Sequence, residues 1–307
     1  MSENNITQEQ HTEIPAARET AKKKIRVGFI FLAFVPAAVL MMIQTLTQTP
    51  FLILAVVETA KKSAAGVEFF DVYDEMLNIF NEKYAMYAYL LYAVFGLIVF
   101  TIWYYKGFVK KNPKVRIREI VSVRSITGSL CIVVGLFFFI NAFMTLAQII
   151  FPKAMEDYAA MVEASGLVSN AAITVTYAIF LGPVLEEFCF RGVTYGLLEK
   201  AGVKPGVAIL ISSVLFGAVH IILIQVIYAT FFGMFLGFLR YKYRSIKISI
   251  ATHILFNFTG TYISLLIEKY IPYGKALTLI FGGIAMFVLV FAIVLINSDK
   301  KAFKPAD

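Results

Sequence analysis

Three short strings in the second half of the chain hold the residue types that chemistry needs. GPVLEEFCFRG carries Glu186, Glu187 and Arg191, FGAVH carries Phe216 and His220, and HILFN carries His253 and Asn257. Apart from His11 near the N-terminus, His220 and His253 are the only histidines. All three strings sit inside apolar runs. A charged side chain in the middle of a membrane helix costs about 2.5–3.5 kcal/mol, so such residues are functional hypotheses by default. On an α-helix Glu187 and Arg191 are i, i+4, about 40° apart, and pair on one face. Glu186 is displaced by about 100° and can face elsewhere. The acid tied to Arg191 stays ionised and structural, whereas a desolvated acid with no adjacent cation suits a general base near neutral pH. His253 and Asn257 share a face at i, i+4 and together can donate hydrogen bonds to a developing oxyanion. Phe216, one turn before His220, can pack against that imidazole and fix it.

The elements that must position these groups are membrane helices. Of 307 residues 59% are hydrophobic and 16% charged, against about 45–50% and 25% in soluble domains. Mean hydropathy is +0.77. Apolar runs long enough to cross fall at roughly 27–47, 84–105, 129–150, 171–198, 205–222, 224–240, 248–267 and 276–297. Continuous runs of this length argue for helices, so the fold expected is all-α, a polytopic membrane helix bundle of about eight transmembrane helices. The boundary near 222–224 has almost no polar break. Segment 51–60 is too short to cross and is expected at an interface or packed on the bundle. Stretch 67–82 is amphipathic, with Phe69, Val72, Tyr73, Met76, Leu77 and Phe80 at helical spacing; 153–164 repeats the theme weakly. Both are expected along the outer membrane surface.

The net charge of +8 is read as loop charge that sets orientation and not as a nucleic-acid footprint. Lys106, Lys110, Lys111, Lys114, Arg116, Arg118 and Arg124 in one loop, and Arg240, Lys242, Arg244 and Lys247 in another, fall on one side with both tails if there are eight spans. Both termini are therefore expected to be cytoplasmic. Residues 1–24, with Lys22, Lys23 and Lys24, read as a disordered cytosolic tail and not as a cleaved signal. Cys131 and Cys189 read as free, buried thiols. Gly233 and Gly237 form G-x-x-x-G, a close-packing motif, and Pro183 is expected to kink its helix before the acids.

Taken in order on successive membrane helices, EE-x3-R (Glu186, Glu187, Arg191), F-x3-H (Phe216, His220) and H-x3-N (His253, Asn257) resemble the signature of the CPBP family, the CAAX-type prenyl endopeptidases and bacteriocin-processing, self-immunity membrane proteases. The resemblance covers about 180–260. It implies a CPBP-like catalytic core over 171–267, between N-terminal helices and interfacial segments over 25–170 and a last helix with a basic tail over 268–307. It further implies an intramembrane endopeptidase acting on a membrane-associated, lipidated or bacteriocin-like peptide within the bilayer, at the plasma membrane if the source is bacterial. In that reading Glu186 activates water, His220 orients it, His253 with Asn257 stabilises the tetrahedral intermediate, and Glu187 and Arg191 order the site. No cofactor is expected. A zinc ion held by Glu186, His220 and His253 is compatible with the residue types, but H-E-x-x-H is absent and the three lie on separate helices, so the metal-independent mechanism fits better. The alternative from another class is a non-catalytic protein, either a proton-coupled transporter or a partner-binding scaffold. Transport favours paired repeats, and the sequence shows none. One depth does not match. At 1.5 Å per residue His253 lies roughly 8 Å into its span and His220 about 22 Å into its own, which calls for a helix starting outside the hydrocarbon, a tilt, or a funnel-shaped cavity.

Overall fold

Backbone N–H and C=O groups inside a bilayer must bond within the chain, and the apolar runs do so as helices. The computed structural model describes residues 25–63, 72–110, 115–165, 171–271 and 274–303. The tail 1–24 with His11, and Phe69, Lys111, Lys114 and Lys304, lie outside the described residues. Among those described there is no strand. Six helices are long and apolar enough to cross a membrane: α1 Val27–Lys62, α2 Val72–Val109, α3 Val123–Ile150, α7 Leu223–Tyr243, α8 Ile246–Ile267 and α9 Lys275–Asn297. Between them come α4, Pro152–Ala164, α5, continuous over 171–201, and α6, Pro205–Ala218. The molecule is a polytopic helical membrane bundle. The two expected spans outside the set of six are α5, which carries the buried charges, and α6, which has only 14 residues.

One sequence expectation is corrected at the start of the chain. Segment 51–60 is not a separate piece: the helix runs unbroken over Val35–Ser63 with Pro50 inside it. Proline removes one intrahelical hydrogen bond, and an apolar run continuing on both sides holds the helix together across the gap. The amphipathic stretch, described from Val72 onward, is continuous with the span that follows it. Val72–Ile79 passes through one π-helical turn, Phe80–Tyr84, into Ala85–Tyr104. Its inner face puts Ile79 and Phe80 against Ala55, Ala88 and Ile173, while Tyr73 stays exposed. Lys83 and Tyr84 reach Glu58 of α1, each at 2.5 Å, and Lys62 pairs with Glu75.

Small residues let the helices approach closely, the main means of association where lipid removes the hydrophobic drive. A Cβ on Gly128 would lie 2.6 Å from Ile296, and one on Gly282 would lie 2.2 Å from the Ala142 Cβ, so α3 and α9 are locked face to face. Gly217 does the same for the α6–α7 hairpin, where a Cβ would meet the Thr230 hydroxyl at 2.1 Å. Helix α5 runs through the middle, with Leu185, Cys189, Phe190 and Val193 fully buried. Both cysteines are free; Cys189 is buried and Cys131 only partly so.

The C-terminal end is tied down by one carboxylate. Asp299, 3% exposed, accepts hydrogen bonds from Ser122 Oγ at 2.5 Å, Tyr243 Oη at 3.0 Å and the Lys301 amide at 3.0 Å, joining the ends of α3, α7 and α9. Burial alone would push its pKa up. The bonds from Ser122, Lys301 and Tyr243 outweigh this and hold it below the usual aspartate range. A carboxyl depressed by folding contributes stability above its unfolded pKa that is lost as pH falls through the folded one. Asp299→Asn should therefore cost about 2 kcal/mol at pH 7 and flatten the fall in stability below about pH 3.9, as read from thermal unfolding in detergent across pH.

Candidate active site

Helix α5 changes winding around the acids. A π-helical stretch, Thr174–Leu181, gives way to one α-turn, Gly182–Glu186, and then to a second π stretch, Glu187–Thr194. Buried Pro183 has no N–H to offer the preceding turn, so the change of winding falls where a hydrogen bond is already missing. The boundary between windings passes between Glu186 and Glu187. π segments concentrate at functional sites because the wider turn re-aims side chains.

Glu187 and Arg191 form the ion pair expected from their spacing, Nη1 to Oε1 at 2.9 Å, with both side chains fully buried. Arg191 Nη2 donates to the Gly233 carbonyl at 3.1 Å, and its guanidinium carbon lies 4.3 Å from the Phe216 ring centroid. His253, 2% exposed, adds a third member: its Nδ1 lies 3.2 Å from Glu187 Oε1. A carboxylate held ionised by Arg191 can only accept, so Nδ1 carries the hydrogen. Nε2 of the same ring lies 3.6 Å from Glu186 Oε2. Glu186 therefore does not face away from its neighbour's partners. Because the two acids diverge around the helix, they reach the opposite nitrogens of one imidazole. Glu186 alone of the acid pair keeps a partly exposed side chain, at 20%. Phe232 and Phe216 stand perpendicular to the His253 ring at 4.9 and 5.7 Å, fixing its plane.

His220 is not inside a helix. It sits in the turn between α6 and α7, where the Ile222 amide donates to the His220 carbonyl at 2.7 Å around Ile221 at φ 67°. This is a γ-turn, a strained geometry for a β-branched residue. The helix expected to carry His220 across ends at Ala218, and the side chain turns back along it: Nδ1 lies 2.9 Å from the Phe216 carbonyl. A carbonyl only accepts, so Nδ1 donates and, in the neutral ring, Nε2 keeps its lone pair. Phe216 packs edge-on against His220 at 5.1 Å, as its spacing suggested, and stands between the two imidazoles. Asn257 is drawn to another partner. Its Nδ2 donates to the Ala178 carbonyl at 2.8 Å, stitching α8 to the first π stretch and leaving one amide hydrogen.

Glu186, Glu187, Arg191 and His253 are thus in direct contact, His220 adjoins them through Phe216, and Asn257 is on the His253 side of α8 but bonded elsewhere. Among the described residues no group of three His, Cys, Asp or Glu side chains is arranged to hold a metal ion. His253 Nδ1 faces Glu187 and His220 Nδ1 is spent on the Phe216 carbonyl, which leaves the two Nε2 atoms free of those bonds, but they and Glu186 do not form such a group. Sequence spacing missed the part played by Gly233. A Cβ there would lie 2.9 Å from Arg191 Nη2 and 3.1 Å from both Phe216 and Ser213, so this glycine of the packing motif is the cradle for the buried arginine. Gly233→Ala should cost about 1–3 kcal/mol and loosen Arg191 from Glu187. Thermal unfolding of the purified variant measures the cost, and Gly206→Ala, with open space around its Cβ position, serves as control.

An acid–imidazole cluster buried in an apolar helical bundle has the residue types that general acid–base chemistry uses. Residues 168–259 match the family described as Rce1-like, type II CAAX prenyl endopeptidase Rce1-like, which supports membership of this part of the chain in that family of membrane proteases. All three motifs fall inside the match. Neither curated proteins nor solved structures gave a match.

Proposed function

We propose that the chain is an intramembrane endopeptidase that hydrolyses a peptide bond of a membrane-associated substrate with water activated by Glu186. The observation that carries the reading is the His253 ring of membrane-spanning α8 held between Glu186 and Glu187, 3.6 and 3.2 Å away. With both acids ionised and Arg191 charged, the cluster has a formal charge of −1. Proton uptake brings it to zero, and neutrality is strongly favoured where the dielectric is low. Glu186, the acid whose side chain is partly exposed, takes a proton from water as the water oxygen bonds to the scissile carbonyl carbon. The electron pair of the carbonyl moves to its oxygen, and the proton is then passed to the leaving amine. Glu187, fixed by Arg191, orients His253. The remaining Asn257 amide hydrogen would face the oxyanion, His253 would join it as a donor once Nε2 holds the proton the cluster takes up, and His220, with Nε2 available, would orient the water.

The family description supports a prenylated CAAX-type peptide as first substrate class to try, with other lipidated or bacteriocin-like peptides beside it. The basic loops support an orientation with both termini and the mouth of the site at the cytoplasmic face. The test is a panel of quenched peptides, prenylated and plain, given to the detergent-purified protein with and without a chelator. Hydrolysis unchanged by the chelator is expected. Turnover abolished by chelation and restored by zinc would overturn the metal-independent mechanism.

A further inference from the structure

The residues at the start of α3 and α8 enclose a second concavity that the chemistry above does not use. It is a groove of about 310 Å³ lined by Ile126 and Leu130 of α3, Ile248, Ala251 and Leu255 of α8, and Ile120. On α8 these positions lie roughly 150° around the axis from the face carrying Ser249, His253 and Asn257, taking 100° per residue. A peptide reacting at His253 therefore does not lie in this groove. The wall is apolar, but one end is not. Lys247 is part of the lining, with Nζ 2.7 Å from the Val115 carbonyl and two further hydrogens to give. Arg116, Arg118 and Arg124 flank the lining residues Ile117, Ile120 and Ser125 in sequence, and Lys301 Nζ reaches the Arg118 and Val121 carbonyls. Helices α3 and α8 both begin at this end, after Ser122 and Ser245, so their positive dipole ends add to the same field.

We infer that this groove binds an anionic phospholipid, one acyl chain between α3 and α8 and the phosphate at the Lys247–Arg118 rim. An apolar slot with a cationic mouth at one end of membrane-spanning helices is complementary to a chain carrying a terminal negative charge. A zwitterionic lipid would fill the slot without using the rim.

The inference goes beyond the protease assignment and is tested without activity. Full-length protein in detergent is titrated with phosphatidylglycerol or phosphatidylcholine of matched chains, and bound lipid is counted by native mass spectrometry. One phosphatidylglycerol should be retained in preference to phosphatidylcholine. Lys247→Gln with Arg118→Gln should weaken it about 25-fold, about fivefold per cation, while Lys153→Gln on α4 leaves it unchanged. Ala251→Phe, which fills the slot, should remove both lipids. Equal retention of the two lipids, equal phosphatidylglycerol binding by wild type and the double variant, or displacement of the lipid by a prenylated peptide would overturn the proposal.

Discussion

Arg191→Met is expected to be the most destabilising single change in the molecule, costing about 3–5 kcal/mol. The guanidinium is fully buried and makes three kinds of contact at once: the Glu187 carboxylate at 2.9 Å, the Gly233 carbonyl at 3.1 Å and the face of Phe216 at 4.3 Å. Removing it leaves Glu187 fully buried with no cation beside it. Removing both charges does not leave that orphan, so Glu187→Gln combined with Arg191→Met should be more stable than Arg191→Met alone. The check is a double-mutant cycle on thermal unfolding in one detergent. Destabilisations that simply add would mean that the pair is not coupled.

Glu186→Gln is expected to do the opposite, sparing the fold and removing the reaction. Glu186 makes no contact as close as that of Glu187 with Arg191, and its side chain stays partly exposed. The amide matches the carboxylate in shape but cannot take a proton from water. Turnover should fall by about a thousandfold, with the unfolding midpoint close to that of wild type. His253→Gln should lose both activity and stability, since it vacates a site between two acids.

Much of this arrangement was legible in the residues because helical spacing reports which side chains share a face. The Glu187–Arg191 pair and the packing of Phe216 on His220 follow directly from i, i+4. What spacing cannot report is a change of winding or a partner on another helix. The π segments around Pro183 and the shared grip of both acids on His253 depend on α5 meeting α8, and no local pattern in α5 encodes that meeting. Asn257 went to the Ala178 carbonyl for the same reason. His220 was read into a span because no glycine or polar break marks residues 219–222; the chain turns there through a strained Ile221. Segment 51–60 looked too short by itself, but it continues the first helix through Pro50, since a proline inside a long apolar run costs one hydrogen bond and does not end the helix. Gly233 carried a signal, G-x-x-x-G, but the motif reports a close approach and not which group approaches.

Product analysis in 18O-labelled water is the most direct trial of the hydrolytic cluster. Wild-type protein and Glu186→Gln, matched for thermal midpoint, would receive the same prenylated peptide, and both fragments would be weighed. The account predicts one heavy oxygen in the new carboxylate with wild type and only a trace of product from the variant. Equal yields of labelled fragment from the two proteins would contradict it.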